Sequence, residues 1–100
     1  MRENSFQKSL VKTIKQKFPN SLVLKQDPTI KLGIPDLLIL NGTKWAALEC
    51  KRNEKEASAK SSRARAQKWY VNKMNKMSYA SFVYPENKEE VLNDLERVFR

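Results

Sequence analysis

Residues 33–51 read GIPDLLILNGTKWAALECK, two apolar runs separated by Asn41-Gly42. No other stretch restricts the fold as much. Asn-Gly between apolar runs is the strongest short hairpin signal, because both central residues of a type I′ turn need positive φ. The two runs therefore pair as antiparallel strands, and three charged side chains, Asp36, Glu49 and Lys51, sit together at the open end of the hairpin. Buried strands normally exclude charge, so this trio needs a reason.

With Asn41-Gly42 as a two-residue loop, Leu40 pairs with Thr43 and Asp36 with Ala47. Paired residues share a face, as do residues two apart on a strand. Asp36, Ala47, Glu49 and Lys51 then face one way, with Asp36 and Glu49 as diagonal neighbours about 7–8 Å apart. A four-residue loop sets Asp36 opposite Glu49 and keeps the faces; a three-residue loop splits them. The other face carries Leu37, Ile39, Ala46, Leu48 and Cys50 and reads as the floor of a core. Two carboxylates this close repel, so one protonates unless a cation lies between them. A divalent ion removes that cost.

The flanking segments read in turn. Phe6, Leu10, Val11, Ile14 and Phe18 form one helical stripe over residues 3–18, with Lys8, Lys12, Lys15 and Lys17 largely off it. Residues 21–26 are a short strand, followed by a loop from Asp27-Pro28. The polar stretch from Arg52 leads to a helix over residues 61–76, with Ala66, Trp69, Tyr70, Met74 and Met77 on or near its buried side. Residues 79–84 are a fourth strand, stopped by Pro85. Asn87, with Glu90 three residues on, caps a last helix whose apolar face is Val91, Leu92, Leu95, Val98 and Phe99. The order α-β-β-β-α-β-α describes one α/β or α+β layered domain over residues 1–100.

Composition limits the chemistry. Histidine is absent, which excludes a Ser-His-Asp triad and every His-based metal site. Any metal is then a hard cation on oxygen ligands, Mg²⁺ or Mn²⁺. The single cysteine, Cys50, forms no disulfide framework, and its side chain reads as core filler. Neither a membrane span nor a signal peptide is visible, and a cytoplasmic location is expected. The net charge is +9, with the basic excess in residues 1–85; residues 86–100 are net acidic. A small domain so charged is most simply a polyanion binder, here of nucleic acid, through counterion release. Arg52, Lys55, Lys60, Arg63, Arg65 and Lys68 cluster near the hairpin's charged end and read as phosphate contacts rather than an ordinary solvated face. Trp45 and Trp69 read as core or dimer contacts.

Gly33-Ile34-Pro35-Asp36 followed by Glu49-Cys50-Lys51, with the opening ENSFQ, resembles the PD-(D/E)XK nuclease superfamily, most closely its small stand-alone VRR-Nuc branch. The resemblance implies a restriction-endonuclease-like αβββαβ core with a C-terminal helix, a central mixed sheet flanked by helices. It implies that Asp36, Glu49 and the backbone carbonyl of Cys50 ligate Mg²⁺ or Mn²⁺, with Glu3 as an accessory acid. Lys51 would orient or activate water, or stabilise charge on the phosphate, and Gln67 would line the site. Relatives with a Gln-x-x-x-Tyr motif have Tyr where this chain has Val71, with Tyr70 one residue early. The implied activity is a DNA endonuclease, structure-selective like a phage or bacterial Holliday-junction resolvase and working as a homodimer. The alternatives are a nicking, flap-type or homing endonuclease, an inactive basic nucleic-acid-binding module, and a structural protein whose charge serves solubility.

Overall fold

A computed structural model describes residues 2–100. It contains helix α1 (Glu3–Lys17), strands β1 (Leu22–Lys25), β2 (Leu37–Asn41) and β3 (Lys44–Cys50), a one-turn helix α2 (Glu54–Ala57), helix α3 (Ser62–Met77), strand β4 (Tyr79–Val83), a 3₁₀ turn (Pro85–Asn87) and helix α4 (Lys88–Val98). The four strands form one sheet in the order β1-β2-β3-β4. The first three are an antiparallel meander, and β4 runs parallel to β3 after the α3 crossover. The domain is thus an α+β arrangement built on a mixed sheet.

Alternation along the strands sorts side chains to two faces. One face packs Leu37, Ile39, Ala46, Leu48, Cys50 and Val83 against Phe6, Leu10 and Ile14 of α1 and Val91, Leu92 and Leu95 of α4. That is the main core. The second face carries a smaller cluster, Ala47, Ala80 and Val71 of α3, with Leu38, Trp45, Met74 and Phe82 around it. Two helices cover the first face and one covers the second. Among the described residues no helix is long and apolar enough to cross a membrane.

The hairpin forms with its turn one residue later than the dipeptide signal implies. Asn41 pairs with Lys44, and Gly42-Thr43 is the loop. Gly42 has φ +64°, and among the described residues no non-glycine residue has positive φ, so glycine occupies the first central position as in a type II′ turn. Asn41 stays in the strand, where its amide donates to the Ser21 hydroxyl. The register therefore differs from the Leu40–Thr43 pairing expected from an Asn-Gly loop. Leu38 faces Ala47 and Leu37 faces Leu48, and one step further Asp36 stands against Glu49. The shift is an even number of residues, so the faces are preserved.

Three other local expectations are corrected. Trp69 and Met77 are 59 % and 65 % exposed, not buried. The buried line of α3 is Ala64, Gln67 and Val71; a polar residue at its centre hid it from an apolar-stripe reading. The segment after Arg52 is not all loop, because Asn53 accepts from the Glu56 N–H and caps α2. Asn87 does not cap α4 with its side chain. It turns back, accepting from the Tyr84 N–H and donating to the Phe82 carbonyl, and so ties the 3₁₀ turn to the end of β4.

Gly33 fixes the loop that delivers Asp36. Its φ is +89°, and a Cβ there would lie 2.7 Å from the backbone carbon of Ala66 on α3. The loop therefore lies directly on α3, one residue before Gln67. Gly33→Ala meets both a left-handed backbone and a backbone clash, and should cost at least about 1–3 kcal/mol. A thermal melt should show a clearly lower Tm; an unchanged Tm would mean that this contact does not fix the loop.

Candidate active site

The site forms where β2 and β3 part. β1 still bonds to the chain at Asp36, through the Gln26 N–H and the Asp36 carbonyl. On the other side the Asp36 side chain replaces the ladder: its Oδ2 accepts from the Cys50 N–H at 2.8 Å. That bond orients the carboxylate beside the end of β3. Glu49 precedes it on the inner strand, on the face covered by α3, and is only 2 % exposed. Phe82 of β4 is its register partner on the opposite side.

Glu49 has too few partners for a buried charge. Gln67 donates from Nε2 to Glu49 Oε2 at 3.3 Å, and Lys51 Nζ lies 3.9 Å from the same oxygen. Oε1 is buried with no hydrogen-bond partner. Burial, then the negative charge of Asp36 and a hydrogen bond shared with it, push the Glu49 carboxyl up to about 9, against the pull of Lys51. Oε1 lacks a partner when both acids are ionised; a proton or a cation between them removes the deficit.

Glu3 completes the acidic side from the first turn of α1. Its carboxyl is raised by partial burial, then by Asp36 and Glu56, and is held down by Lys51 and Arg63. It stands as a flanking charge within electrostatic reach of Asp36. Among the described residues no three His, Cys, Asp or Glu side chains are gathered closely enough to hold an ion. The chain thus brings together two carboxylates, Asp36 and Glu49, with Lys51 and Gln67 against the second. The Cys50 thiol is buried in the main core, on the other face, and burial pushes it far up, so it is no ligand. Its backbone N–H is directed to Asp36, and in an antiparallel strand N–H and C=O of one residue leave on the same side. Val71, where a tyrosine would extend the motif, packs in the smaller cluster instead.

The expected phosphate contacts divide. Arg63, Lys55 and Lys60 are exposed. Arg52 is engaged with Glu56, at 2.5 Å, across one turn of α2. Lys68 donates to the Ala59 carbonyl at 2.9 Å and Arg65 to the Lys60 carbonyl at 3.5 Å, so these two brace the loop that leads into α3. The backbone role of Lys68 and Arg65 was not legible from charge spacing. Nor was the Asp36–Cys50 bond, since a strand-terminal acid carries no signal of which amide it takes. A groove lined by Arg52, Asn53, Lys55, Glu56 and Lys60 opens beside this loop.

Comparison with protein-family models, curated proteins and solved structures returned no match.

The strained pair has a measurable consequence. Burial and the charge of Asp36 push the Glu49 carboxyl up from 4.5 to about 9 in the fold, so between these values the folded chain holds an extra proton. Stability without a divalent ion therefore falls as pH rises from about 4.5 through about 9. In EDTA, Glu49→Gln should flatten that slope and raise Tm at the alkaline end. A variant that melts with the same pH slope as the wild type would mean that Glu49 is ionised throughout.

Proposed function

We propose that the chain is a Mg²⁺- or Mn²⁺-dependent endodeoxyribonuclease with a restriction-endonuclease-like core, acting on branched DNA. The observation that carries this reading is Glu49: a carboxylate on an inner strand, almost sealed, set against Asp36 and left with one unpaired oxygen. A purely structural acid would have its partners supplied. The donors fit a hard ion, since all are oxygens: Asp36, Glu49 and the carbonyl of Cys50, with Glu3 at the margin. Two protein carboxylates suffice for Mg²⁺, which usually keeps several waters and takes the rest of its shell from substrate phosphate.

When bound, the divalent ion supplies charge neutralisation at the phosphate and a water acidic enough to attack at neutral pH. The chain's own residues set the geometry. Asp36 is held by the Cys50 N–H, and Gln67 holds Glu49 in one orientation. Lys51, half-buried beside Glu49, places a positive charge where negative charge grows on the phosphate. Arg63, near enough to lower the Glu3 carboxyl, extends that positive field to the mouth of the site. The exposed Lys55 and Lys60 fit phosphates on either side of the scissile bond, positioning the strand without reading its sequence.

The test is a substrate panel of four-way junction, flap and linear duplex, each in Mg²⁺ and in EDTA. Cleavage should require the divalent ion. Asp36→Ala and Glu49→Ala should each abolish it, by at least about a thousandfold, while binding persists. Lys51→Ala should lower the single-turnover rate more than the affinity. Full cleavage by both carboxylate variants would remove the metal-site reading, and binding without any cleavage would leave a basic nucleic-acid-binding module. Affinity should also fall steeply with added salt, as log Kd against log salt concentration; a flat line would point away from DNA.

A further inference from the structure

Between α1 and the free edge of the sheet lies a groove of about 480 Å³ that the site described above does not use. Its floor is apolar: Val11 from α1, Val23 from β1 and Leu37 from β2. Lys8, Lys15 and Lys25 also line it, and no acidic side chain does. The remaining lining is amide, from Asn4 and Gln7. Gln7 is only 6 % exposed, and its Nε2 is a buried donor with no hydrogen-bond partner. Such a donor is costly to leave unpaired, and the same residue lines the groove.

The groove lies on the α1 face of the sheet, and the elements that line it also carry residues of the candidate site. Asn4 follows Glu3 in α1, Gln7 lies one helical turn from Glu3, and Leu37 follows Asp36. The positive charge of Lys25 reaches Cys50, whose N–H holds Asp36. A ligand here must combine negative charge, an apolar body and a polar edge. A nucleotide has all of these: phosphate for the lysines, a base plane for the apolar floor and base-edge donors and acceptors for the Asn4 and Gln7 amides. A paired base has its face stacked and its edge engaged, so only an unpaired one can enter.

We infer that the α1–β1 groove receives an unpaired nucleotide of the DNA strand flanking the scissile phosphate. Its base packs on Val11, Val23 and Leu37, and its phosphates lie on Lys8, Lys15 and Lys25. The inference rests on the nuclease reading and narrows it: the substrate is single-stranded beside the cut, as at a flap, a gap or an open branch point.

The experiment measures binding of the full chain by fluorescence anisotropy in EDTA, so that affinity is read apart from cleavage. The probes are a blunt duplex and the same duplex with a single-stranded arm. The wild type should favour the armed duplex by about tenfold. Gln7→Leu keeps the side-chain volume and removes the unpaired amide. It should lose several-fold of that preference without a lower Tm, whereas a merely structural Gln7 would leave the preference unchanged. K8E/K15E should abolish the preference, while the charge-matched K88E/R100E, on and beyond α4, should retain most of it. The inference is overturned by equal binding of the two duplexes, by equal loss from both charge-reversed pairs, or by polyglutamate competing as well as a single-stranded oligonucleotide. Cleavage in Mg²⁺ is scored separately. Cleavage without arm preference removes the groove assignment alone, and arm preference without cleavage removes the nuclease reading alone.

Discussion

A carboxylate inside a sheet is held there against two forces: the loss of water around Glu49 and the charge of Asp36 beside it. Both act to neutralise it, and only Lys51 at 3.9 Å and Gln67 at 3.3 Å act the other way. The rest of the structure is arranged around this opposition. β3 is an inner strand because β4 returns beside it through α3, and that crossover buries Glu49 under Gln67. β2 leaves β3 at Asp36, so the two acids meet at the point where the backbone ladder stops. The destabilised pair sits where the β2–β3 ladder ends.

The scaffold sets this geometry with small, rigid elements rather than bulk. Gly33 lets the loop before Asp36 lie on the backbone of α3. Asp36 then spends one oxygen on the Cys50 amide, which anchors it without neutralising it. Beneath lies a dry core of Leu37, Ile39, Leu48, Leu10, Ile14 and Leu95, all fully buried. A packed floor of this kind keeps the strand ends from drifting, because side chains at interior density cannot shift independently. Precision at the acids thus comes from packing on the opposite face of the same strands.

Much of the element order was legible from residue pattern. Period-two alternation marked the hairpin, and helical spacing marked α1 and α4, because in each case most of the buried residues are apolar and recur at the spacing of the element. α3 was placed correctly as an element but rotated in the reading, since Gln67 occupies the centre of its buried face and an apolar stripe cannot include it. The turn was misplaced by one residue. Glycine alone satisfies positive φ at the first central position, and Asn41 is held in the strand by Ser21. The shared face of Asp36 and Glu49 survived that error, because an even slip preserves facing. Contacts that depend on which amide or carbonyl a side chain finds, such as Asp36 to Cys50 or Lys68 to Ala59, carry no periodic signal.

The charge of the molecule is unevenly divided among its helices. α3 carries Arg63, Arg65, Lys68, Lys73 and Lys76 with no acid, and α1 carries Lys8, Lys12, Lys15 and Lys17. Acids outnumber bases in the segment that forms α4, which packs on the core side of the sheet. Near the paired acids, Glu3 from the first turn of α1 feels both the negative charge of Asp36 and the positive charge of Arg63 from the first turn of α3. The basic helices therefore flank a pair of acids whose mutual repulsion and burial raise the Glu49 carboxyl, so the positive field of the surface and the unfavourable charge inside the sheet stand side by side.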